Sequence, residues 1–500
     1  MTNRSSTGSV KSMAMALTVL CTSAVHAEDF NLPDFGDSAG AVFSRDDERI
    51  YGRELMRQLR NYQVVIEDPQ LVEYLDTLAY RLVESANRPN YSFQFVILDS
   101  PVINAFAAPG GVVALHSGLI VEAESESEVA AVLAHEIAHV TQHHLARALE
   151  SSLKDTIPIL LATLGAAMAG SGHGDATQAA IVSGMAMLQQ RQINFTRTNE
   201  AEADRIGIQT LAKSDFNVDG MADFFGRLNR ITRTNSAGLK APEFLRTHPV
   251  SLQRVSEAKA RAETVRAEQV RESVLFDFMR ERIRVRGGPM PGELINYYDD
   301  LASVRALHPA ERYGYALAVL RLGQGEKALE LLAEQSAEGV NGLPVALARI
   351  EARVHADQPG LARSQMAELL TALPENRVVV ASMAQLAVKL DDRELAVKAR
   401  SKLRSLLLRF EHDPGLHELY ARTSELAGDD IRAAESHAEA TFLRGRARDA
   451  MSQLERLEQR SDLSYYQRAR IQAQIARMAP IALEEQREFG DYHPEDGRRG

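Results

Sequence analysis

The 500-residue chain has one cysteine and no tryptophan, and its 57 lysines and arginines are outnumbered by 68 acids. The cysteine, Cys21, lies in an N-terminal segment with a pattern of its own. Residues 1–27 carry Arg4 and Lys11 and no acid, then the apolar run Met13–Leu20, then Thr22-Ser23-Ala24-Val25-His26-Ala27. A charged start, a short apolar centre and small residues before a cut describe a secretory signal peptide ending at Ala27. The apolar run is too short to span a bilayer. Leu20 stands where a lipoprotein signal places a small residue, which argues against lipidation of Cys21. Cleavage leaves a chain without cysteine, which excludes disulfides, thiolate metal sites and cysteine nucleophiles. An exported chain of this size without disulfides fits the periplasm of a Gram-negative bacterium better than a eukaryotic secretory pathway.

The deficit of bases has its own consequence. The formal charge of −11 becomes −13 once Arg4 and Lys11 are gone, with 55 bases against 68 acids. Such a chain has no general pull toward nucleic acid or anionic lipid, so proteins are the expected partners. Long apolar runs are scarce as well. The uncharged run Ile157–Ala169, of about 13 residues, cannot span a membrane, so no transmembrane helix is expected and any membrane association is peripheral. It reads as a membrane-dipping segment, as a mobile flap over a cleft, or as part of a buried pair of small-residue helices.

A helical pattern covers roughly Asp46 to Asn87. Phe93–Leu98, Ile103–Ala107 and Val112–Leu115 then read as short antiparallel strands, with Ala108-Pro109-Gly110-Gly111 as a turn that Pro109 places at an edge. Such an edge beside a cleft can hold an extended peptide through main-chain hydrogen bonds. From Ser125 the period becomes helical. Ser125 and Glu128 have capping-box spacing, and Val129, Val132, Leu133, Ile137 and Val140 follow on one broad side. The stretch VLAHEIAHVTQHH (132–144) therefore lies in mid-helix.

That stretch contains H-E-x-x-H. His135 and His139 lie one turn apart on one face, so two imidazoles can converge on one ion, and imidazole nitrogen suits Zn²⁺. Glu136 sits one residue along, near enough to a water on that ion to take its proton. His143 could line the cleft one turn further on, whereas His144 faces elsewhere. A third ligand must come from another segment. The positions where a metzincin would carry Gly and His are Gln142 and Leu145, which excludes that class. Glu200 and Asp204 share a face of a second helix. Glu200 can ligate, and Asp204 can orient a ligand histidine through its second ring nitrogen or hydrogen-bond to the reacting centre. Glu202 points away and reads as a solvated carboxylate.

With Glu200-x-x-x-Asp204, the H-E-x-x-H motif resembles the gluzincin metallopeptidases that include the CaaX prenyl proteases and the HtpX-like and Oma-like enzymes. Asn104–Gly111 is similar to that family's strand beside the cleft, and Thr247-His248-Pro249 with Arg254 to its downstream His-Pro segment. Most members are integral membrane proteins. The signal peptide and C-terminal repeats narrow the resemblance to the periplasmic β-barrel assembly-enhancing protease group. The resemblance implies one Zn²⁺ per chain, held by His135, His139 and Glu200, with Glu136 as general base. It implies a catalytic or orienting role for Asp204. His248 would be a transition-state hydrogen-bond donor, or a fourth ligand that blocks the site and leaves the enzyme latent. It further implies an endopeptidase with chaperone-like activity toward misfolded or stalled outer-membrane proteins, docked on the β-barrel assembly machinery. The alternative is a repeat scaffold whose protease is latent or rarely used.

Beyond about residue 270 the chain reads as helix after helix. Gly323 with Ala328, Gly360 with Ala362, Ala396, and Gly428 with Ala433 recur at a spacing near that of tetratricopeptide repeats, led by Tyr313, Tyr315 and Leu317. The helices of Ser436–Met478 read as irregular. The expected fold is mainly α with a small β-sheet. A signal peptide (1–27) precedes a zincin-type metallopeptidase domain (28–268), a helical repeat domain (269–484) and a polar, disordered tail (485–500).

Overall fold

The computed structural model describes residues 44–62, 64–86, 91–148, 196–234, 242–288, 290–335 and 339–489. The signal peptide, Ile157–Ala169 and the chain beyond 489 lie outside the described residues.

The helical pattern over Asp46–Asn87 resolves into two helices, α1 (Arg45–Asn61) and α2 (Pro69–Ser85). Pro69 has no N–H to continue a preceding helix, and Asp68 caps the new one by accepting from the N–H groups of Gln70 and Leu71. Between the helices, Val65 bridges to Leu98 at the edge of the sheet. The strands are β1 (Gln94–Leu98), β2 (Ala105–Ala108) and β3 (Val112–His116), in the order β1-β3-β2. β2 and β3 form the expected antiparallel hairpin, but β1 runs parallel to β3, which corrects the all-antiparallel reading. Residues 99–104 carry the chain past the position β3 will take, so β3 inserts between its two predecessors. β2 is thereby left as an edge strand.

Two further helices, α3 (Ser117–Glu122) and α4 (Glu126–Thr141), follow. Every residue of α4 except His139 is buried. Val129, Val132, Leu133 and Ile137 pack with Leu71, Leu75, Leu78 and Leu82 of α2 and Phe224, Phe225 and Leu228 of the helix Gly220–Thr234. Each fully buried side chain of this kind contributes about 1.5–3 kcal/mol relative to exposure. Only half of the capping box forms. Ser125 accepts from the Glu128 N–H, but the Glu128 carboxylate accepts from the Glu124 N–H and takes Arg227 from the helix Gly220–Thr234 at 2.7 Å.

From Pro309 the chain forms helices joined by short turns, each packed on the next, with Ala328, Ala362 and Ala396 fully buried where helices meet. Asp430–Leu443 and Ala447–Glu458 resemble the preceding helices in length, whereas Tyr465–Phe489 is longer, at 25 residues, and has Pro480 inside it. Ala447 and Ala450 are fully buried, so small residues continue the close packing there. The last helix runs through 485–489, and Glu485 accepts from the Ala447 N–H, so structure extends past the expected start of the tail.

The helix Leu275–Gly287 joins both regions. Phe276, Met279 and Ile283 belong to the core of the N-terminal part, and Val285 to the first cluster of the C-terminal part. Its Arg282 grips Asp68 at 2.6 Å and donates to the Tyr313 hydroxyl at 3.1 Å. Burial opposes the charge on Asp68, but Arg282 outweighs it and holds the carboxyl below the usual range. The folded pKa is thus depressed, so the stabilisation is present above about pH 4 and is lost as pH falls through the folded value. Asp68→Asn keeps a capping oxygen and removes the charge. It should cost about 2 kcal/mol at pH 7, below the 3–5 of a fully buried pair. Urea denaturation should find that this deficit shrinks toward pH 3; a deficit constant with pH would remove the ion pair as its cause.

Candidate metal centre

Three segments build the site. The first is α4, which presents His135 and His139 one turn apart. The second is the helix 196–213, with Glu200, Asp204 and Gly207 on one face. A β-carbon on Gly207 would lie 3.3 Å from the His135 backbone nitrogen and 3.0 Å from the Met221 methyl. The bare glycine lets this helix close on α4 beside His135. The third is the one-turn helix Phe244–Thr247, which ends in His248, whose ring stacks on Phe244 with centroids 4.8 Å apart.

Together they bring His135, His139, Glu200 and His248 to one point, each offering one donor atom, all within 4.8 Å of one another. His135 Nε2 lies 3.0 Å from His139 Nε2 and 3.3 Å from His248 Nδ1. The Glu200 oxygens lie 3.4 Å from both His135 Nε2 and His139 Nε2, and 3.1 Å from His248 Nδ1. Imidazole nitrogens facing one another around a carboxylate form a donor set able to hold a metal ion. Glu136 stands beside them. Its Oε1 is buried with no hydrogen-bond partner, and His248 Nε2 is 3.4 Å away. A desolvated, unpartnered carboxylate oxygen beside such a cluster suits a water that needs a proton acceptor.

Asp204 does not point into the cluster. Its Oδ1 meets His135 Nδ1 at 3.0 Å, on the far side of the ring from the nitrogen that faces the cluster. Arg254 clamps it with two bonds of 2.7 Å and reaches Glu200 at 2.9 Å. Burial opposes charge on all three, yet their neighbours prevail: His135, His139 and His248 lower the Glu200 pKa, His135 and Arg254 lower that of Asp204, and Asp204 and Glu200 raise that of Arg254. His135 is disfavoured by burial, but Asp204 and Glu200 outweigh this and raise its pKa to about 10.

His144, read from helical phase as facing elsewhere, is 3% exposed, and its Nδ1 is 2.9 Å from His139 Nδ1. The reason is that α4 ends at Thr141. His143 has φ +51°, in the left-handed region, and this turns His144 back toward the site. The stretch 132–144 thus crosses a helix end and is not mid-helix. Glu202 is likewise no solvated carboxylate. It bonds His144 Nε2 at 3.2 Å and Arg147 at 2.8 Å. His143 lines the cleft, with Nδ1 3.7 Å from Glu48. Glu48 itself, which sequence patterning overlooked, is buried under a 2.6 Å hydrogen bond from the Tyr91 hydroxyl. Its place at the cleft comes from the packing of α1, which has no local signature.

The cleft has a volume of about 310 Å³ and is walled by Phe106, Ala107 and Ala108 of the edge strand opposite Glu136 and His139. Among the described residues no helix is long and apolar enough to cross a membrane.

A profile described as Peptidase family M48 matches residues 69–262, the span that contains His135, Glu136, His139, Glu200, Asp204, His248 and Arg254 but not Glu48. The putative beta-barrel assembly-enhancing protease of Vibrio cholerae serotype O1 is 40% identical over 326 residues, covering 64% of this chain and 67% of that protein. The beta-barrel assembly-enhancing protease of Yersinia pestis is 32% identical over 446 residues, 89% of this chain and 90% of its own length. A mitochondrial metalloendopeptidase OMA1 of Arabidopsis thaliana is 27% identical over 158 residues, 32% of this chain and 29% of that one.

Proposed function

The chain belongs to peptidase family M48, among the beta-barrel assembly-enhancing proteases, and is a metalloendopeptidase; from that premise we propose that it is a periplasmic zinc enzyme acting on outer-membrane β-barrel proteins during their assembly. The observation that supports the site is the convergence of four donors beside the buried Glu136 Oε1, which makes no hydrogen bond. His135, His139 and Glu200 would hold the metal. When bound, the metal supplies Lewis-acid chemistry, acidifying a water and polarising the scissile carbonyl. Glu136 takes the proton of the attacking water and delivers it to the leaving amide nitrogen, with no covalent enzyme intermediate. Asp204 holds His135 by its outer nitrogen, and Arg254 locks Asp204 and Glu200 in place. The edge of β2 takes the substrate as an added strand, which suits an unassembled β-barrel protein rich in unpaired strands.

A second reading rests on His248. Its Nδ1 sits among the ligand atoms, where a fourth protein donor would fill the position a catalytic metal keeps open. In that state the protease is latent and the repeat region acts as chaperone or scaffold on the assembly machinery. Movement of the Phe244–Thr247 turn would free the position.

The test is cleavage of an unfolded outer-membrane protein by the full chain. Activity should vanish in chelator and return with about one equivalent of Zn²⁺. Chelator-resistant cleavage would exclude the metal site as its source. Activity in His248→Ala but not in wild type would select the latent reading.

A further inference from the structure

Apart from the metal centre, one small pocket concentrates charge of a single sign. It has a volume of about 390 Å³, and its walls include Arg60, Arg286, Arg444, Arg446 and one acid, Glu67. The arginines come from three places: the last turn of α1, the last turn of Leu275–Gly287, and the turn between Asp430–Leu443 and Ala447–Glu458. Gly445 makes this meeting possible. It has φ +81°, and a β-carbon there would lie 2.3 Å from the Arg57 carbonyl oxygen and 3.0 Å from Asn61 Cβ. The turn therefore sits directly on the end of α1, with Arg444 and Arg446 on either side of the contact.

The positive charge is incompletely balanced. Glu67 is taken by Arg444 at 2.8 Å, and Arg444 also holds Glu418 at 3.2 Å. Arg60 donates to the Leu443 carbonyl at 3.4 Å, and its burial, with Arg444 nearby, lowers its pKa more than the attraction of Glu67 and Asp413 raises it. Arg286 and Arg446 are exposed and have no ion-pair partner among the described residues. A last-turn arginine is ordinary for a helix, since it faces the negative end of the dipole. That does not require two such turns and a third arginine-bearing segment to share one pocket in a chain of charge −11.

We propose that this pocket binds a phosphate group. Several guanidinium forks around a small polar cavity match the oxygens of a multiply charged anion, with bidentate hydrogen bonds. The bound group would tie α1, the joining helix and the C-terminal helices together. Its source is either free inorganic phosphate or the headgroup of an anionic phospholipid, and both present the same chemistry.

The full chain is titrated with inorganic phosphate against chloride at matched ionic strength, reading Tm and heat. It is then floated with vesicles of phosphatidylglycerol in phosphatidylcholine, or of phosphatidylcholine alone. Arg286→Gln/Arg446→Gln removes two guanidinia that hold no ion pair among the described residues, so folding should survive; Arg60→Gln is an independent second variant. Phosphate should raise Tm by about 2–4 °C beyond chloride, and the double variant should bind at least about 10-fold more weakly. Binding only to phosphatidylglycerol vesicles, lost in both variants, would assign the lipid source. No phosphate-specific shift together with no vesicle binding overturns the proposal. So does binding of either kind that both variants retain in full. Phosphate also ligates divalent metals, so the titration is repeated on chelator-treated protein and only the shift that the arginine variants lose is counted.

Discussion

Glu136→Gln should retain metal like wild type and cleave an unfolded protein about 10²–10⁴-fold more slowly. The amide has nearly the size of the carboxylate, so the buried pocket around it is preserved. It cannot accept a proton, however, and Glu136 Oε1 is the acceptor placed beside the cluster, buried, with no hydrogen bond and with His248 Nε2 at 3.4 Å. The loss should appear in single-turnover cleavage, while elemental analysis finds the metal stoichiometry unchanged. If the metal is lost as well, Glu136 helps to hold the site and the proton-transfer assignment fails. If the rate survives, another group moves the proton.

The second large effect is expected at His144. Burial and the neighbouring His139 lower its pKa to about 4, so it is neutral at pH 7. With the Nε2–H donated to Glu202, its Nδ1 lone pair accepts from the Nδ1–H of His139. That fixes the tautomer of His139 and turns its Nε2 lone pair toward the metal. His144→Ala leaves that N–H facing a void and should weaken metal binding about 10–100-fold in chelator competition. Glu202→Gln keeps an acceptor for His144 and should lose far less. Equal metal affinity in His144→Ala and wild type would reduce the residue to a packing role. The two α4 histidines thus differ in support, since Asp204 meets His135 directly while Glu202 reaches His139 through a second imidazole.

Local patterns announced much of this. H-E-x-x-H on a capped helix, and Glu200-x-x-x-Asp204 on another, are spaced by the helical period, which places each pair on one face whatever the rest of the chain does. The small residues Ala328, Ala362 and Ala396 likewise mark helix contacts that the structure buries completely. Pattern reading failed where an element ended or a chain crossed. His144 was misplaced because its phase was counted past Thr141, across a left-handed residue that no periodicity reveals. The direction of β1 depends on a crossover of a few residues, and alternation alone carries no strand direction.

By itself, then, the sequence determined the types of donor, their pairing on two helices and the helical character of the C-terminal half, because each follows from spacing along a single element. Tertiary structure decided what spacing cannot express. It set His248 within the donor cluster, turned Asp204 to the outer nitrogen of His135 and ran Arg254 across both carboxylates. It also gathered arginines from residues 60, 286, 444 and 446 around one pocket. Those relations join segments tens to hundreds of residues apart, and only the packing of one element on another can bring them within reach.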